Sequence, residues 1–299
     1  MTRRADDRQG RGWTRTPLAR LAAFAILIAV LAGVAGLAGR ASGLEVEESD
    51  RHDGAAMTAH GEEAPASADG NGLSDAAGGL RLRFEPAALE RGVSRRLTLA
   101  IVDPVGKPIK PLQGEHGEPP LHLILVRRDL SGYRHLHPQR SGESYVVDLT
   151  LPLSGIWRAY ADFEIDGQKI VLGRDLFVPG DFTPQPLPPV TGATRIGGYD
   201  IERARQDLRA GGEATLRFRI GRAGVPVDGL QPYLGAAGHL VAIRENDLAY
   251  LHVHPLESSA TGRIDFRADF AQPGRYALFL QFKHEGRVQT ARFTVEVAR

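Results

Sequence analysis

From Leu80 onward the chain carries short runs of apolar residues, often alternating with polar ones, which is the period of a half-buried strand. In the first half these runs are Leu80 to Phe84, Arg96 to Val102, His122 to Arg127, Tyr133 to His137, Tyr145 to Leu151, Gly155 to Phe163 and Lys169 to Val178. They are β-branched and aromatic, and clusters of Gly, Pro, Asp and Ser separate them as turns require. No window of useful length shows the apolar spacing of an amphipathic helix. The pattern recurs from Tyr199 to Val297. The expected fold class is therefore all-β, as two tandem antiparallel β-sandwiches of immunoglobulin-like or cupredoxin-like kind.

The recurrence holds residue by residue. His122 to Arg127 (HLILVR) leads to His135 and His137, and 117 positions later His239 to Arg244 (HLVAIR) leads to His252 and His254. Upstream, Gly106 and Pro108 recur as Gly224 and Pro226 at an offset of 118; downstream, Gly155 and Phe163 recur as Gly274 and Phe282 at 119. Offsets that drift by one residue between blocks are what loop insertions produce while strands keep register. One domain has been duplicated.

The first 79 residues follow other rules. Leu21 to Gly39 is a run of 19 residues without a charge, close to the roughly 20 that cross a bilayer as a helix. Six Arg precede it and acidic residues follow, an asymmetry that places the N-terminus in the cytoplasm and the rest outside. A cleaved signal peptide is the competing reading, with small residues at Ala41, Ser42 and Gly43, and it exports the same domains. The expected organisation is a basic cytoplasmic segment at 1–20, a membrane helix or signal core at 21–39, an acidic disordered linker at 40–79, sandwiches at 80–178 and 198–299, and a proline-rich semi-rigid spacer at 179–197.

Composition removes several function classes. There is no Cys among the 299 residues, which excludes disulfides, thiolate metal sites and cysteine nucleophiles. The net charge of +1 hides the segregation of the first 79 residues, and from Leu80 to Arg299 charge is spread without a basic block, so no nucleic-acid partner is expected. The chain lacks the Gly-x-Ser-x-Gly elbow, a phosphate-cradling glycine loop and His-Glu-x-x-His, and it is not expected to be an enzyme.

What remains is histidine. Each copy holds a His-x12-His-x-His pattern across an expected hairpin. Centring the second turn near Asn246 and Asp247 puts His239 opposite His254, while His252 and His254 share one strand face. The first copy repeats the arrangement with His122, His135 and His137. Three imidazoles with an open fourth position suit Cu(II) or Zn(II), one cluster per domain. Asp129 and Asp247 are read as turn formers. The alternative is that the histidines are structural, with Tyr133 and Tyr250 as partners, in a protein-interaction module that contacts another envelope component.

The stretches HLVAIRENDLAYLHVHP and GRYALFLQFKHEGRVQTARFTVEV resemble bacterial exported proteins with YtkA-like or similar immunoglobulin-like domains. The resemblance covers both repeats and implies a β-sandwich and an envelope location. Such proteins are often found near copper or heavy-metal handling proteins. The Met and Cys motifs of established periplasmic copper carriers are missing here, which argues against copper delivery.

Overall fold

The computed structural model describes residues 71–109, 112, 114, 119–251, 253–257 and 260–299, so the expected membrane segment at 21–39 lies outside the described residues. The described residues form strands and no helix. The first sandwich comprises β1 (Ala76–Ala77), β2 (Leu80–Glu85), β3 (Arg95–Val102), β4 (Leu121–Arg127), β5 (Tyr133–Leu136), β6 (Gln139–Ser141), β7 (Ser144–Leu149), β8 (Gly155–Ile165) and β9 (Gln168–Val178). The second comprises β10 (Ala193–Ile196), β11 (Tyr199–Arg203), β12 (Leu208–Arg209), β13 (Gly212–Arg222), β14 (Val225–Pro226), β15 (His239–Arg244), β16 (Tyr250–Leu251), β17 (Val253–Leu256), β18 (Arg263–Phe270), β19 (Gly274–His284) and β20 (Arg287–Ala298).

Each sandwich has two sheets. In the first they run β1-β2-β3-β7-β6 and β5-β4-β8-β9; in the second, β10-β11-β13-β18-β17 and β12-β20-β19-β15-β16. The chain changes sheets between β5 and β6, and again between β16 and β17, so one length of extended chain closes a corner of each sandwich. Leu97, Leu123, Leu125 and Trp157 belong to the first core, and Phe218, Leu240, Phe266 and Leu278 to the second.

A third apolar cluster joins the sandwiches. On β4, Leu121, Leu123 and Leu125 face the first core while Ile124 and Val126 face outward; on β15, Leu240 and Ala242 face the second core while Val241 and Ile243 face outward. The outward residues meet Tyr160, Tyr250, Ala277 and Phe279 in one buried cluster. Strands covered on both faces read as continuous apolar runs, which is why HLILVR and HLVAIR barely alternate. Each aliphatic side chain fully buried in this seam contributes roughly 1.5–3 kcal/mol relative to exposure.

Two segments expected to be linkers take part in this assembly. In the 179–197 spacer, Leu187 is buried in the seam, Arg275 Nη2 donates to its carbonyl at 2.9 Å, and the Gln185 N–H donates to Asp129 Oδ2 at 2.9 Å. The spacer therefore runs along the joined domains rather than holding them apart, and its last residues form β10. Residues 71–79 also join the fold: Asn71 bridges to Val171, and Arg158 Nη2 donates to the Gly72 carbonyl at 2.6 Å. A Cβ at Gly173 would stand 1.8 Å from that carbonyl oxygen, so only glycine lets the two backbones come this close.

Candidate metal centre at the domain seam

The β4–β5 hairpin pairs Leu123 with Leu136 and Ile124 with His135. That register sets His122 opposite His137, which follows the last residue of β5. In the second copy Ala242 pairs with Leu251 and Ile243 with Tyr250. Both turns contain a leucine in the left-handed region, Leu130 at φ 61° and Leu248 at φ 64°. Asp129 accepts from the Ser131 N–H and Asp247 from the Ala249 N–H, each at 3.1 Å. The two carboxylates thus build turns. Burial opposes ionisation of Asp129, but hydrogen bonds from Arg127, Ser131 and Gln185 overcome it and hold the carboxyl well below its usual range.

The seam face of β4 brings His122 to His135 and His137. Their ligand nitrogens all lie within 4.8 Å of one another. His122 Nδ1 is 2.9 Å from His135 Nε2, and the His137 ring stands edge-on to both, with centroids 5.1 and 4.8 Å away. His137 Nε2 is buried without a hydrogen-bond partner. Burial, and then the neighbouring His122, lowers the pKa of His135 to about 3 and of His137 to about 4. Both imidazoles are therefore held uncharged at neutral pH, the form a cation needs.

The second sandwich contributes at close range. His239 lies parallel to His122 at 5.5 Å between centroids and 4.6 Å from His135. Gln281 Oε1 accepts from His135 Nδ1 at 2.6 Å. Tyr133 and Tyr250, considered from sequence as histidine partners, face other groups: Tyr133 Oη is 3.5 Å from Gln281 Oε1, and Tyr250 Oη donates to Asp162 Oδ2 at 2.8 Å. Burial, with the Asp162 charge adding to it, pushes the Tyr250 hydroxyl well above its ordinary range and keeps it a donor. A cleft lined by His122, His239, Asp162, Glu164, Lys169 and Tyr250 opens beside the cluster.

Of the one cluster expected in each copy, the structure describes all three histidines only in the first. Among the described residues the structure brings together His122, His135 and His137, with His239 packed against them. His254 is exposed on β17, paired with Arg267 in the other sheet of its sandwich. His252 lies outside the described residues. The copies also differ in where the chain changes sheets: β5 stays beside β4 for four residues, whereas β16 pairs with β15 over two. Sequence spacing did not reveal Gln281, whose only signal is its place on the seam face of β19, two residues beyond Phe279.

A family model described as Domain of unknown function (DUF8832) matches residues 75–178 and again 194–299. None of the curated proteins matches the chain. Among solved structures the chain is similar to an alpha-2-macroglobulin of Salmonella at 17% identity, covering 74% of this chain and 15% of that one with a TM-score of 0.27. It is similar to the Escherichia coli adhesin FdeC at 18% identity, over 74% of this chain and 64% of that one, with a TM-score of 0.26. A DUF4426 family protein of Pseudomonas aeruginosa is similar at 15% identity over 36% of this chain and 93% of that one, with a TM-score of 0.27. The chain spans less than two thirds of the length of the first two.

Proposed function

The chain belongs to the DUF8832 family, whose domain it carries twice, and from the way the two copies meet we propose that it is a non-enzymatic, extracytoplasmic binder of one divalent transition-metal ion. The ion is Cu(II) or Zn(II), and its ligands are His122, His135 and His137. The observation that carries this reading is the convergence of three ligand nitrogens within 4.8 Å of one another. The partnerless buried Nε2 of His137 supports it, because a buried polar atom left unsatisfied costs roughly 1–3 kcal/mol and coordination through that nitrogen would remove the cost. Neutral imidazoles suit both metals, and in a chain without Cys no thiolate competes for the ion. The apolar run at 21–39 and the charges around it support a membrane-attached protein with both sandwiches outside the cytoplasm. The resemblance to exported YtkA-like proteins agrees with that location.

The test is a titration of Zn(II) and of Cu(II) into the full chain in detergent micelles, monitored by calorimetry, with His137→Ala as the control. One ion per chain in the wild type and none of comparable affinity in the variant is the expected result. Equal heats in the two proteins would return the histidines to a structural role.

A further inference from the structure

Gln281 belongs to β19 of the second sandwich, yet its side chain holds a histidine of the first. Its Oε1 accepts from His135 Nδ1 at 2.6 Å, while its Nε2 donates to Thr290 Oγ1 on neighbouring β20 at 3.2 Å. An amide oxygen only accepts, so the contact fixes the proton on His135 Nδ1 and leaves the lone pair on Nε2. That nitrogen faces His122, 2.9 Å away. A metal-ligating imidazole needs this arrangement, because an acceptor on the second nitrogen sets both tautomer and ring orientation. His239, also from the second sandwich, packs on the rings of His122 and His135. Two of the three ligands thus depend on side chains from across the seam.

We infer that Gln281 is the positioning residue of the metal centre, so that the centre is complete only while the two sandwiches are docked. The inference rests on the reading of the three histidines as a metal site. An ion that binds only the docked arrangement stabilises that arrangement by linkage, so occupancy tightens the seam. The repeat itself supplies the conservative variant. Asp162, 119 positions before Gln281, points across the same seam and accepts from Tyr250 at 2.8 Å. A carboxylate therefore fits this kind of position, and Gln281→Glu keeps an acceptor that Gln281→Leu removes.

The experiment measures Zn(II) and Cu(II) affinity by competition with a chromophoric chelator, using the full chain in detergent, for wild type, Gln281→Leu, Gln281→Glu and His137→Ala. Circular dichroism and thermal unfolding of each metal-free protein accompany the titrations. The expected result is a 10–100-fold loss in Gln281→Leu, the size typical of lost outer partners, with Gln281→Glu within about threefold of wild type. The ion should also raise the wild-type unfolding midpoint more than that of Gln281→Leu. Wild-type affinity in Gln281→Leu would overturn the positioning role and leave the site standing. Equal losses in the Leu and Glu variants, with equally lowered metal-free midpoints, would make Gln281 merely structural and also overturn it. No difference between wild type and His137→Ala would remove the site and this inference together.

Discussion

His122 and His239, equivalent positions of the two repeats, lie face to face across the seam with ring centroids 5.5 Å apart and planes 7° from parallel. A residue meets its own equivalent when it lies near the axis that relates the copies, and exchanged pairs make that axis a two-fold. Other pairs obey the same relation: Tyr133 stacks on Phe279 at 4.3 Å, and Tyr250 leans on Tyr160 at 5.3 Å, with the partners exchanged by the repeat. The seam has the self-complementary form of an isologous dimer interface, built within one chain.

The stack of Tyr133 on Phe279 should be measurable as a coupling. In a double-mutant cycle with Tyr133→Leu and Phe279→Leu, urea unfolding is expected to give about 0.5–1.5 kcal/mol of interaction. Strict additivity would mean the rings contribute only their separate burial.

Tyr160 ties the first sandwich to the second turn, its buried hydroxyl donating to the Leu248 carbonyl at 2.6 Å. Tyr160→Phe keeps the ring and orphans the carbonyl, so a loss of about 1–3 kcal/mol is expected. A shift in the urea midpoint at unchanged slope would verify it.

Gly173→Ala places a methyl group 1.8 Å from the Gly72 carbonyl oxygen. Since backbone faces it on that side, the segment at 71–77 must move off β9. The expected cost is about 1–3 kcal/mol, of the size seen when extra atoms are forced into packed structure. Limited proteolysis should cut near residue 75 in the variant and spare the parent; equal resistance would refute the prediction.

The metal-free protein should lose stability in mild acid. His135 and His137 titrate near about 6.5 in the unfolded chain, but at about 3 and about 4 in the folded one. As pH falls below 6.5, the unfolded chain takes up protons that the folded chain refuses, so stability present above that pH drops toward pH 4 and below. Urea midpoints between pH 7 and 4 should fall more steeply for wild type than for His135→Asn. Parallel slopes would count against the buried, uncharged state of His135.

The strands were legible because period and turn chemistry act locally. The turn at Asn246 and Asp247 implied a register that Ala242 opposite Leu251 repeats. Periodicity also states which residues share a face, and on β4 the face of His122 is that of Ile124 and Val126. It does not state what covers that face. Here the cover is the other copy of the same domain, so His239 met the histidines of the first repeat. His254 lies on β17, in the other sheet of its sandwich, because the chain changes sheets sooner in the second copy than in the first. Residues 71–79 looked like tether by composition, yet the close approach at Gly72 and Gly173, the Arg158 hydrogen bond to the Gly72 carbonyl and the bridge from Asn71 to Val171 dock them.

Asp162 and Gln281 occupy matching places across the axis, one a carboxylate beside Tyr250 and the other an amide beside His135. Two identical subunits would have to carry the same residue at both places, and any substitution would strike the assembly twice. Joining the copies in one polypeptide lifts that constraint. Each half can then carry its own charge, so the two sides of a symmetric seam are free to take different roles.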